Sequence, residues 1–115
     1  MIKRNNAMET DVRENMRGGD GTVAITEILK KGEYKGQARL IGTITLQKGC
    51  SIGAHVHENE EEIFYIIDGT ATYNDNGEEV ILKKGDCCIC LGGEEHSIRN
   101  NEEETLTVFA VILTY

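Results

Sequence analysis

From residue 22 to the C-terminus the sequence never sustains a helical period. Short runs rich in β-branched residues are cut by turn signals roughly every 8–12 residues, the pattern of an all-β sandwich or barrel. TVAITEIL (22–29) opens the series after a glycine-bearing loop, MRGGDG (16–21). QARLIGTITLQ (37–47) alternates, with Leu40, Ile44 and Leu46 on one face and Arg39, Thr43 and Thr45 on the other. KGCSIG (48–53) reads as a turn. EIFYIID (62–68) is apolar on both faces, as a strand covered on both sides would be. TATYND (70–75) runs into Asn76-Gly77, a two-residue hairpin signal. EEVILKKGD (78–86), CCICL (87–91), EHSIRN (95–100) and ETLTVFAVILTY (104–115) complete eight or nine expected strands. With no proline in the chain, the turns rest on 13 glycines together with Asn and Asp.

At 115 residues the chain has the length of one domain. We divide it into an N-terminal arm, 1–21, and a single domain, 22–115. Within the arm, METDVREN is expected to form a short helix or an irregular segment. A net charge of -8 argues against nucleic acid, whose phosphates call for a basic face. It leaves small anions open, because a bound cation can reverse the local field. No apolar run approaches the roughly 18 residues of a membrane span, and MIKRNNAMET has no apolar signal core, so a cytoplasmic location and no membrane partner are expected. In that reducing compartment Cys50, Cys87, Cys88 and Cys90 are expected to be free thiols. On a strand Cys87 and Cys90 point to opposite faces, against a shared metal or redox pair.

The chemistry concentrates in GCSIGAHVHENEEEIFYIIDG (49–69). His55 and His57, two apart on a strand, share a face and can converge on one ion. One carboxylate from Glu58, Glu60, Glu61 or Glu62 could join them, and the third histidine of the chain, His96, could be brought in by the fold. Three nitrogens and an oxygen suit a divalent transition metal. The same residues also read as a solvated acidic loop holding two histidines.

The spacing Gly49, His55, His57, Glu62, Gly69, followed by Gly85, Gly93, His96 and Asn100, resembles the two motifs of the cupin family, with Leu91 standing where the second motif has proline. The chain is similar to small single-domain bacterial cupins. That resemblance implies an antiparallel jelly-roll β-barrel holding one divalent transition metal (Mn, Fe, Ni, Co or Zn) on His55, His57, Glu62 and His96, with Asn100 structural. It implies a small metalloenzyme acting on a small polar or anionic molecule, of dioxygenase, decarboxylase or isomerase type. The alternative is a non-catalytic small-molecule-binding or metal-sensing module. Glu58, Glu60, Glu61 and Tyr65 are candidate acid–base groups, and Phe64, Tyr73, Cys88, Cys90 and Phe109 are candidate pocket-lining residues. A homodimer is expected because the C-terminal strand, apolar on both faces, needs cover on each, with residues 2–30 contributing to the contact.

Overall fold

The computed structural model describes residues 1–115 and contains ten strands. They are β1 (Glu9–Glu14), β2 (Thr22–Leu29), β3 (Ala38–Leu46), β4 (Ser51–Val56), β5 (Glu60–Asp68), β6 (Thr70–Asp75), β7 (Glu78–Lys83), β8 (Cys87–Cys90), β9 (Glu95–Arg99) and β10 (Leu106–Thr114). Two antiparallel sheets result, one in the order β1-β2-β3-β10-β5-β8 and one in the order β4-β9-β6-β7. Their inner faces meet in one core to which Ile44, Phe64, Ile66 and Val108 contribute from the larger sheet, and Ile52, Ala71, Tyr73 and Ile98 from the smaller. This is a jelly roll whose hydrogen bonding stays within two sheets rather than closing into one continuous barrel. No helix is long and apolar enough to cross a membrane.

Two expectations need correction. METDVREN is neither helix nor irregular arm over residues 9–14. These residues form β1, paired to β2 from Glu9↔Glu27 through Glu14↔Thr22. All six are exposed, so no apolar stripe marks the strand; main-chain pairing to β2 defines it, with a Thr10–Thr26 hydroxyl hydrogen bond (2.7 Å) beside it. The turn expected at 48–53 also ends early, because β4 already begins at Ser51.

The expected hairpin is present. Asn76 and Gly77 both have positive φ, the conformation a tight β6–β7 connection requires. Asn100 is fully buried behind β9. Its amide nitrogen donates to the carbonyls of Leu46 (2.9 Å) and Glu104 (2.8 Å), and its Oδ1 accepts from the Glu102 amide (2.9 Å). Asn100→Ala would leave buried carbonyls without donors, at about 1–3 kcal/mol. The expected outcome is a lower urea midpoint with an unchanged m-value.

Candidate metal centre

The geometry begins with a bulge. β4 pairs β9 at Ile52↔Ile98 and again at His55↔His96, three residues along one strand against two along the other. Strict alternation would put Ile52 and His55 on opposite faces. The extra residue resets the phase, so Ile52 joins the core while His55 turns inward as well. His57 follows at the end of β4, fixed through its main chain. Its carbonyl accepts from Gly93 N (2.6 Å) and its amide donates to Glu94 O (3.3 Å). That neighbouring turn contains Leu91, whose amide donates to Glu94 Oε1 at 2.8 Å, a bond proline could not make. The turn therefore keeps a clamp of its own without the motif proline.

Glu62 enters from β5 and His96 from β9. Nε2 of His55 lies 3.2 Å from Nε2 of His57 and 3.2 Å from Nε2 of His96, and the latter two are 3.0 Å apart. Glu62 Oε1 is 3.1 Å from His57 Nε2 and 3.2 Å from His96 Nε2. The sixth separation, His55 to Glu62, is longer but within 4.8 Å. His57, Glu62 and His96 are buried and His55 is half-buried.

The outward nitrogens decide what the inward ones can do. His55 Nδ1 is 2.7 Å from the Gly53 carbonyl, which only accepts, so Nδ1 carries the proton and Nε2 a lone pair. His57 Nδ1 is 2.8 Å from Glu60 Oε1. Arg39 grips that same carboxylate with both Nε (2.6 Å) and Nη2 (2.7 Å). The Arg39 hydrogen bond is the main reason Glu60 is held down to about 2, so it stays an acceptor and keeps the proton on His57 Nδ1. His96 Nδ1 is 2.8 Å from the Tyr73 hydroxyl, and the His96 ring stacks on Phe64 with centroids 5.3 Å apart. At least two imidazole lone pairs and a carboxylate oxygen thus converge on one point, an arrangement that a cation satisfies.

The separations carry a shape. Donors about 2.1 Å from one ion stand about 3.0 Å apart at right angles and about 4.2 Å apart when opposed, whereas a tetrahedron makes all six separations equal at about 3.4 Å. Five short separations and one long one match four corners of an octahedron better than a tetrahedron. The residues fit a divalent transition metal.

His55, His57 and Glu62 stand at the inner end of a cavity of about 530 Å³. Its outer wall includes Asp11 and residues 13–17, which no motif or periodicity marks. Gly19 and Gly53 let the Arg17–Gly19 turn cross directly over β4. A Cβ on Gly53 would collide with the Arg17 carbonyl, and one on Gly19 with the Ser51 carbonyl. Arg39 is also in the wall, although alternation puts it on the face of Thr43 and Thr45. The β3–β10 register shifts between Leu40 and Ala38, and the unopposed Arg39 turns to Glu60.

None of the five residues singled out as pocket lining reaches this cavity. Phe64 and Tyr73 are buried behind His96 and support its ring. Phe109 lies between buried Val108 and Ala110, paired with Thr43 and Tyr65 on the outer face of the larger sheet. Cys88 and Cys90 do turn inward, but burial pushes their thiols up to about 11 and about 12, so neither is a thiolate at neutral pH. All four cysteines are free, with Cys87 exposed and Cys90 buried. Of the acid–base candidates, Tyr65 is exposed on the outer face, Glu58 is exposed, Glu61 is outside the cluster, and only Glu60 touches it.

The two-sheet jelly roll and its three-histidine, one-carboxylate centre define a cupin. The cupin-domain family model matches residues 42–112, and the chain belongs to that family. An oxalate-binding protein of Thermotoga maritima is 40% identical over 113 residues, 98% of this chain and 93% of that protein. The tetracenomycin polyketide synthase protein TcmJ of Streptomyces glaucescens is 30% identical over 91 residues, 79% of this chain and 59% of that protein. A crystal structure described as a predicted oxalate decarboxylase from Thermotoga maritima superposes with a TM-score of 0.94 at 39% identity, covering 100% of both chains.

Proposed function

We propose that His55, His57, Glu62 and His96 hold one divalent transition metal, and that a small chelating carboxylate binds at the two adjacent positions these donors leave open. The pattern of five short donor separations and one long one carries this reading. The oxalate-binding relative supports the ligand class, since oxalate presents two oxygens to neighbouring positions. When bound, such an ion supplies Lewis acidity to a carboxylate or carbonyl oxygen. The chain's own part is to orient. Gly53 and Glu60 fix two imidazoles, Tyr73 and Phe64 fix the third, and the cavity wall shields the bound molecule from solvent. On this reading the protein is a metalloenzyme of the decarboxylase, dioxygenase or isomerase kind.

One observation favours the second reading, a binding module. None of the acid–base candidates named from the sequence, Glu58, Glu60, Glu61 and Tyr65, lines the cavity. Glu60 is pinned by Arg39 and held well below the usual carboxylate range. Tyr73 lies behind His96, with burial pushing its phenol up. Elemental analysis of protein purified without chelator, beside a His57→Ala control, tests the metal. One equivalent of manganese, iron, nickel or cobalt, lost in the control, is expected. A folded protein that neither carries nor takes up metal would remove the proposal. Oxalate added to the loaded protein then tests the decarboxylase form of the enzyme reading, because one formate and one carbon dioxide per oxalate mark that enzyme.

We further propose a homodimer through the outer face of the larger sheet. The register sets Val111 between Ile41 and Ile63, Ile63 beside Ile89, and Phe109 between Thr43 and Tyr65. Tyr65 and Ile89 are more than two-fifths exposed in the single chain, an apolar surface that association would cover. Light scattering on a size-exclusion column should return twice the 12.8 kDa chain mass. A monomer at micromolar concentration would end the idea.

A further inference from the structure

The cavity is larger than a bare dicarboxylate needs, and part of its lining is apolar. Its volume, about 530 Å³, falls within the roughly 300–1,000 Å³ of sites that enclose drug-sized molecules. Oxalate has six non-hydrogen atoms and no C–H surface, yet Met16, Ile25, Leu40, Ile44, Ile52 and Ile112 all line the space. The apolar surface starts beside the candidate ligand. Ile112 pairs with Glu62 on one side and with Leu40 on the other, so Glu62, Ile112 and Leu40 form one rung across β5, β10 and β3. Ile25 and Ile44 form a neighbouring pair deeper in the same sheet.

Charge points the same way. Apart from Glu62, three arginines and three acidic side chains line the cavity, so its wall has no net attraction for a polyanion. Arg13 is already paired with Asp11 (2.9 Å), and Arg39 with Glu60. An anionic head group is therefore drawn to the inner end, at the proposed metal, while the apolar side chains of the lining are left for carbon.

We infer that the ligand is a chelating carboxylate bearing an apolar body, of the aryl- or alkyl-substituted 2-oxo acid class, with its head at the His55/His57/Glu62 end and its body against Leu40, Ile112, Ile25 and Ile44. The inference rests on the metal reading above for the head group and on the cavity wall for the body. Transfer of a phenyl group out of water onto such a wall strengthens binding by about tenfold or more.

The test compares pyruvate, phenylpyruvate and oxalate by calorimetry on protein carrying one equivalent of zinc, which is diamagnetic, while isoleucine methyl resonances are followed by NMR. Phenylpyruvate should bind at least tenfold tighter than pyruvate and should shift the methyls of Ile25, Ile44 and Ile112. Leu40→Asn, at a half-buried position, should lose most of that preference with zinc content and oxalate affinity kept. Equal affinity for pyruvate and phenylpyruvate, with unmoved methyls, would overturn the inference while leaving the metal site standing. Should the chain take no zinc, the metal reading and the chelated head group fall together. The methyl shifts with phenylpyruvate would then show separately that the apolar compartment holds a ligand.

Discussion

Glu62→Gln is expected to lower metal affinity by about 10²–10⁴-fold. The side chain keeps its size and loses its charge. Removing one partner of a buried charge pair costs about 3–5 kcal/mol, and each 1.4 kcal/mol is about tenfold in binding. The metal-free fold loses stability as well. Burial pushes the Glu62 carboxyl up, but the hydrogen bonds with His57 and His96 bring it below its ordinary value, and Glu62 raises His57 in turn, so the variant gives up a buried pair. Thermal melts with and without added manganese read both effects. The parent should gain stability with metal according to mass action, and the variant should gain little at the same concentration. If the cluster were only a buried hydrogen-bond network, the parent would show no gain.

The fold was legible because its signals are local. Period-two alternation in 37–47, the Asn76-Gly77 turn and the doubly apolar runs at 62–68 and 104–115 each follow from neighbouring residues. Strand β1 was not legible, since Glu9 to Glu14 are all exposed and what holds it is pairing to β2 rather than burial. The four clustered donors were reachable by motif spacing. The cavity wall was not. Its placement depends on two bulges, one that phases Ile52 with His55 and one that leaves Arg39 unopposed, and a bulge exists only between two paired strands. Phe64 and Tyr73 had the inward parity expected of a lining. Parity selects a face of a sheet but not the end of the core to which a side chain is close, and these two support His96 from behind. Glu60 was one of four glutamates in a run. Its position three residues after His57, across a turn with Asn59 in the left-handed region, is the signal that could have singled it out.

Glu60→Gln is expected to weaken metal binding by about 10–100-fold, the usual effect of removing a carboxylate that orients a ligating histidine. Glu60 touches no bound molecule. It acts by keeping a proton on His57 Nδ1 and thereby a lone pair on Nε2. A carboxamide can present either its oxygen or its nitrogen to His57, and it surrenders the two-point grip of Arg39. The ring then loses both its fixed tautomer and its fixed orientation. Glu60→Asp, which restores the charge on a shorter arm, should recover part of the loss, an outcome that simple unfolding would not produce. The pH dependence has a definite sign. Arg39, aided by His57, moves the Glu60 carboxyl from 4.5 down to about 2. A depressed carboxyl stabilises the fold fully above its unfolded value, and the contribution fades as pH falls from about 4.5 through about 2. Acid melts of the metal-free parent should therefore lose stability across that window, with a shallower slope in Glu60→Gln. An identical slope in the two proteins would mean that the Arg39–Glu60–His57 chain is too well solvated to hold the histidine in place.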